Sequence, residues 1–192
     1  MSYRIEVEQT NGRYRIQRIR EGRHRYYRVW EAASGQPVGD KWPGTTTILD
    51  VLGKPALVPW ARRVAVEAMA DVLRPQVGYW VDAPLLARAA EAGLAEPERA
   101  KRAAGDFGTR SHELLQAWIT GQRPPVPPDL QPVVDSFMAF IVQTGYRFRQ
   151  AEVLVCSPAL GICTQVDTVV EDPNDHVAAT VNWKTGNGLY EE

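Results

Sequence analysis

The chain opens and closes in strand-like sequence and is helical in between, and this order constrains the fold more than any other feature. Residues 3–8, 14–19 and 25–30 alternate apolar with polar side chains and are separated by Asn11-Gly12 and Glu21-Gly22, which predicts a small antiparallel meander. Ser34-Gly35-Gln36-Pro37 and Trp42-Pro43-Gly44 then break the pattern. Residues 45–52 form a short apolar segment, and after Lys54-Pro55 the spacing over 58–73 is helical, with Pro59 in the first turn. A second helical stretch covers 83–92 and a third begins near Pro97. Gln122-Arg-Pro-Pro-Val-Pro-Pro128 is a rigid, extended connector. Asp129 is the expected N-cap of a helix whose apolar face is Val133, Val134, Phe137, Phe140 and Ile141, ended by Gly145. Strands are expected at 152–156, 162–170 and 177–184. The chain is therefore read as α/β, with a basic β-rich extension over residues 1–42 and a core over 43–192, the two forming one compact unit.

A length of 192 residues suits one domain with a substantial core. No run approaches the roughly 20 apolar residues of a membrane helix, and Met-Ser-Tyr-Arg-Ile-Glu lacks the apolar segment of a signal peptide. A cytoplasmic protein without a membrane partner is expected. Cys156 and Cys163 flank Pro158-Ala-Leu-Gly161 in an expected hairpin and are read as small strand residues that stay reduced. Two cysteines cannot supply a four-cysteine iron–sulfur cluster, so none is expected.

A net charge of −1 does not advertise a nucleic-acid partner, but the charges are unevenly distributed. Arg4, Arg13, Arg15, Arg18, Arg20, Arg23, Arg25 and Arg28 crowd the first thirty residues, against Glu6, Glu8 and Glu21. The last third carries Glu152, Asp167, Glu171, Asp172 and Asp175. A basic flank beside an acidic centre suits DNA, because phosphate contacts supply the sequence-independent part of affinity. A solvated strand face fits the arginine alternation equally well.

The chemistry concentrates near the C-terminus, in Gly161-Ile-Cys-Thr-Gln-Val-Asp167 and Val181-Asn182-Trp183-Lys184. In a strand, positions 182 and 184 share a face, so both side chains point toward Asp167 if the two strands are neighbours. Mg²⁺ binds through one or two carboxylates plus waters and substrate phosphate, and a Lys ammonium can hold a phosphate oxygen. Asn182 can touch a metal through its carbonyl oxygen but brings no negative charge. The spacing alone is degenerate, and an ordinary half-buried strand with a solvated Lys satisfies it.

Several motifs in order carry more weight. Pro43-Gly-Thr-Thr-Thr-Ile-Leu49, Lys54-Pro-Ala-Leu-Val-Pro-Trp60, Gly108-Thr-Arg-Ser-His112, Glu152, Thr164-Gln-Val-Asp167 and Asn182-Trp-Lys-Thr-Gly186 resemble, across residues 43–192, the RecB-like, phage-type exonuclease branch of the PD-(D/E)XK nuclease superfamily. The resemblance implies a restriction-endonuclease-like core, a mixed central sheet flanked by helices, behind the N-terminal meander. It implies metal ligation by His112, Glu152, Asp167, the residue at 182 and the backbone carbonyl of Trp183, with Asp167, Asn182 and Lys184 as the catalytic set. The cofactor would be Mg²⁺ or Mn²⁺, and the activity that of a deoxyribonuclease acting on phage or recombination and repair intermediates. DNA would be the partner, contacted by Arg13, Arg15, Arg18, Arg25 and Arg110, together with a homo-oligomer or a recombination protein.

The sequence departs from the family pattern twice. Relatives carry Asp or Glu where Asn182 stands, and the family continues past Leu189-Tyr190 into a helix with a Gln-x-x-x-Tyr element that is expected to be missing here. Three readings follow: a metal-dependent nuclease impaired at position 182, a non-catalytic DNA-binding or scaffold module that keeps the nuclease fold, and an α/β interaction protein whose resemblance to the family is accidental. Considered singly, His112 also reads as a helix histidine packed beside Leu115 and Trp118, and Glu152 as a residue closing a strand end. Asp167 among valines is harder to place as an ordinary strand residue, since an unpaired carboxylate there is costly.

Overall fold

The computed structural model describes residues 4–22, 24–49, 57–173 and 178–185. The elements are β1 (Arg4–Asn11), β2 (Tyr14–Glu21), β3 (His24–Glu31), β4 (Trp42–Pro43), α1 (Thr45–Leu49), α2 (Leu57–Leu73), α3 (Ala83–Ile119), α4 (Gln131–Thr144), β5 (Arg147–Ser157), β6 (Ile162–Glu171) and β7 (Ala178–Val181). They group into two compact units, Met1–Leu52 with Arg110–Glu192, and Gly53–Thr109. The expected features at residues 50–56, at Val177 and beyond Thr185 lie outside the described residues, among them the Lys54-Pro-Ala motif and Leu189-Tyr190.

In the first unit the meander forms as its alternation dictates. β1 to β4 pair in sequence order as an antiparallel sheet. The pairs Asn11↔Tyr14 and Glu21↔His24 leave two-residue loops, each begun by a glycine with positive φ, 57° at Gly12 and 60° at Gly22. A loop this short needs such a conformation to match the strand twist, and glycine adopts it without a Cβ clash.

β5, β6 and β7 form a second antiparallel sheet with β6 in the centre. The chain is thus mixed α/β, with a four-stranded N-terminal sheet and a separate three-stranded one. Cys156 lies opposite Cys163 in the β5–β6 register, and both thiols are free. Burial raises the pKa of each, and for Cys163 the nearby Cys156 adds to the rise. The sheets share a core: Ile16, Tyr27, Val29 and Trp42 pack with Leu154 and Cys163. Pairing places Leu154 against Gln165 and Cys156 against Cys163, so the β5–β6 face bearing Leu154 also bears Glu152 and Asp167.

Three expectations are corrected. α4 follows a 3-10 turn at Pro128–Leu130, and its N-cap is Leu130 rather than Asp129. The Asp129 carboxylate instead receives two hydrogen bonds from Arg110, at 2.8 and 2.9 Å, and a charge-assisted pair outcompetes a single backbone cap. Gly145 closes α4 as expected, with φ 65° and its N–H on the Ile141 carbonyl. β5 begins at Arg147, earlier than expected, with a register shift between Phe148 and Gln150 that interrupts the alternation on which a sequence reading depends. The third correction concerns helix continuity: α3 runs through Pro97 rather than breaking there. Proline forfeits one bond, to the carbonyl of Gly93, while both flanks are rich in Ala, Leu, Glu and Arg, which hold the helix.

In the second unit the Asp82 carboxylate accepts the Leu85 N–H at 2.8 Å at the start of α3. Gly93 lies so close to α2 that a Cβ there would stand 2.5 Å from Met69 Cγ and 3.0 Å from the Ala65 carbonyl oxygen. No described helix is long and apolar enough to cross a membrane.

Candidate metal centre

Three residues far apart in sequence meet within the first unit. His112 comes from α3, Glu152 from β5 and Asp167 from β6, and one candidate ligand atom from each lies within 4.8 Å of the other two. His112 Nδ1 stands 3.5 Å from Asp167 Oδ2, with the histidine about one-third and the aspartate about one-fifth exposed, at 32% and 18%. Glu152 and Asp167 meet because the pairs Ala151↔Thr168 and Val153↔Val166 flank them on adjacent strands.

Two carboxylates held this close repel each other. Burial pushes the Glu152 carboxyl above its usual range, and the Asp167 charge pushes it further; His112, Arg18 and the hydrogen bond from Gln165 oppose them without cancelling them. A divalent cation among these groups would offset that repulsion. Two hard oxygen donors and one imidazole nitrogen are a donor set that such a cation accepts, so the residues present fit a metal of this class.

Glu152 also has an unusual backbone. Its φ is 53°, the one positive value at a non-glycine among the described residues, a conformation L-residues avoid because Cβ crowds the carbonyl oxygen. The Gln9 side chain brackets it: Nε2 donates to the Glu152 carbonyl at 2.6 Å, and Oε1 accepts the Leu154 N–H at 2.8 Å. Asn11 Nδ2 donates to the Leu154 carbonyl at 3.1 Å.

β7 ends at Val181, earlier than the strand expected to run to Lys184. Beyond it the backbone ladder gives way to side-chain bonds, which is why regular strand stops there. The Trp183 N–H donates to Asp167 Oδ2 at 2.6 Å, and the Asp167 N–H donates to Asn182 Oδ1 at 3.3 Å. Asn182 therefore sits beside Asp167 as expected, but its amide oxygen is engaged with backbone. The Trp183 ring stacks edge-on against Phe137 and Phe140, with centroids 5.4 and 5.6 Å away, and this packing anchors the segment carrying the N–H. Lys184 is exposed and makes no hydrogen bond or ion pair among the described residues.

Each arginine expected to contact DNA has an acidic partner. Arg13 pairs with Glu31, Arg15 with Glu8 at 4.0 Å, Arg18 with Glu6 at 3.1 Å, Arg25 with Glu6 at 3.7 Å, and Arg110 with Asp129. Arg20 also reaches Glu6, so one carboxylate serves three guanidinium groups. Arg18 is only 14% exposed.

Sequence reasoning assigned no role at the site to Gln9 or Gln165 and did not foresee Glu6 as a shared partner of three arginines. Val7, Gln9 and Asn11 share a parity on β1, and Val7 packs on the core. Two amides on an otherwise core-facing strand side were the available signal that something polar lay opposite. In comparisons with known proteins, no family model, no curated protein and no solved structure matches this chain.

Proposed function

We propose that the protein is a divalent-metal-dependent DNA nuclease of the PD-(D/E)XK type, with a restriction-endonuclease-like core, whose activity is impaired by Asn182. The observation that carries this reading is the convergence of His112, Glu152 and Asp167 beside the Asn182-Trp183 segment. These are the residues that the resemblance to RecB-like, phage-type exonucleases assigns to one centre.

His112, Glu152 and Asp167 would hold Mg²⁺ or Mn²⁺. When bound, such an ion supplies positive charge for a phosphodiester oxygen and acidifies a water. Asp167 is oriented by the Trp183 N–H, and Gln165 donates to the Glu152 carboxylate. Lys184, exposed and without a carboxylate partner among the described residues, is available to a phosphate oxygen. Asn182 brings a dipole where the family pattern has a charge, which weakens the field for cation and transition state alike.

Titrating Mn²⁺ calorimetrically into the protein and into His112→Ala and Asp167→Ala tests the centre; both variants are expected to bind more weakly. Asn182→Asp is expected to raise Mn²⁺ affinity about tenfold or more, because a full charge a few ångströms away is worth about 1 kcal/mol in bulk water and about 4 kcal/mol at protein-surface dielectric. It is also expected to give metal-dependent cleavage of labelled linear DNA that Lys184→Ala abolishes. Equal Mn²⁺ affinity in the protein and in Asn182→Asp would remove position 182 from the site.

A second reading, a DNA-binding module without catalysis, is favoured by one observation. The Asn182 amide oxygen already satisfies the Asp167 N–H, so the neutral side chain is accommodated where it stands. Tighter metal binding by Asn182→Asp without cleavage would support that reading.

A further inference from the structure

We infer that Gln9, in the N-terminal meander, is a positioning residue of the metal centre: its side-chain amide holds the backbone of Glu152 in the conformation that aims the carboxylate at His112 and Asp167. The inference rests on the metal-centre reading above.

The amide's nitrogen and oxygen both engage one short stretch of β5, Nε2 donating to the Glu152 carbonyl at 2.6 Å and Oε1 accepting the Leu154 N–H at 2.8 Å. A single rigid amide spanning residues i and i+2 does locally what a neighbouring strand would do, and it fixes their separation. Glu152 lies inside that bracket with φ 53°. A non-glycine residue stays in this region only where its surroundings over-determine it, and such residues concentrate at functional sites. Here the surroundings include Gln9 on one side and, through the carboxylate, Gln165 on the other.

The consequence is directional. Glu152 lies between Ala151 and Val153, whose partners Thr168 and Val166 flank Asp167, so a change in its backbone dihedrals redirects its carboxylate relative to the cluster. Asn11 provides an internal control. It lies on the same strand and bonds the same stretch of β5, but at the Leu154 carbonyl, beyond the bracket. Loss of Asn11 removes a link between β1 and β5 without freeing Glu152.

The experiment compares Mn²⁺ affinity by calorimetry, and melting temperature without metal, in the protein and in Gln9→Met, Gln9→Asn, Asn11→Ala and His112→Ala. Gln9→Met keeps the side-chain length but removes both hydrogen bonds; Gln9→Asn keeps the amide but is one methylene too short to reach both partners. Both Gln9 variants are expected to bind Mn²⁺ about 10- to 100-fold more weakly, the range for groups that orient a metal ligand, and Asn11→Ala within about twofold of the parent. A residue that only joined the two strands would lower the melting temperature and leave the affinity of the folded protein unchanged. Unchanged affinity in the folded Gln9 variants, with His112→Ala weakened, overturns the role of Gln9 and leaves the metal centre standing. Equal weakening by Asn11→Ala overturns it in favour of general packing. Unchanged affinity in His112→Ala removes the metal centre, and the role of Gln9 with it.

Discussion

The Glu6 carboxylate lies against three guanidinium groups, those of Arg18, Arg20 and Arg25. Its burial, the largest single influence, pushes its pKa upward. The hydrogen bond from Arg20 and the charges of Arg18, Arg20 and Arg25 together outweigh that influence, so the carboxyl titrates below its usual range. Because its folded pKa is depressed, its contribution to stability is complete above the unfolded value of about 4.3 and is lost as pH falls through the lower, folded value. Urea midpoints measured downward from about pH 6 are expected to fall below about pH 4 in the protein and to fall less steeply in Glu6→Gln. Identical acid limbs would show that the three arginines do not stabilise the ionised form.

At the scale of elements, the contact between α2 and α3 depends on a missing side chain. Helix propensity alone favours Gly93→Ala by about 1 kcal/mol. The new Cβ would meet Met69 Cγ at 2.5 Å and the Ala65 carbonyl oxygen at 3.0 Å, and the backbone oxygen cannot swing away. Overpacking is expected to win, with a net destabilisation of about 1–3 kcal/mol read from thermal or urea unfolding; a gain in stability would mean the helices separate readily. The element pattern was largely legible: the meander, α2 and the β5–β6 hairpin fall where periodicity and turn residues place them. Two of the failures are alike. Pro97 and Asp129 were each read from one residue's usual preference, and other residues prevailed, the helix-forming flanks around Pro97 and the Arg110 guanidinium at Asp129.

At the scale of the whole molecule, most of the arginines of the opening sequence are held in internal ion pairs, although the carboxylates are fewer than the guanidinium groups. Cross-strand pairing brings Glu6, Glu8 and Glu31 against Arg13, Arg15, Arg18, Arg20 and Arg25, so few of these charges stand free for phosphate. DNA binding, if carried by this face, is expected to be weak, independent of sequence and lost as salt rises, with a slope of about −0.9 per phosphate neutralised. Glu6→Gln releases three guanidinium groups from their shared partner and is expected to raise affinity at low salt and steepen that slope. Fluorescence anisotropy at several salt concentrations measures both; an affinity independent of salt, or unaltered by Glu6→Gln, would remove these arginines from DNA contact.

Strand and helix periods and the turn glycines were readable along the chain, because each depends on neighbours a few positions away, while His112, Glu152, Asp167, Asn182 and Lys184 were singled out by their residue type and order. What tertiary structure decided was which polar groups meet. The β5–β6 register set Glu152 against Asp167, α3 brought His112 to them, and the Asp167 carboxylate took the Trp183 N–H where the strand ladder stops. The partners of the arginines, and the bond from Gln9 to a carbonyl 143 residues away, were equally hidden. Such contacts are fixed by how two sheets pack, and packing depends on the burial of Ile16, Tyr27, Val29, Leu154 and Cys163 together rather than on any local pattern.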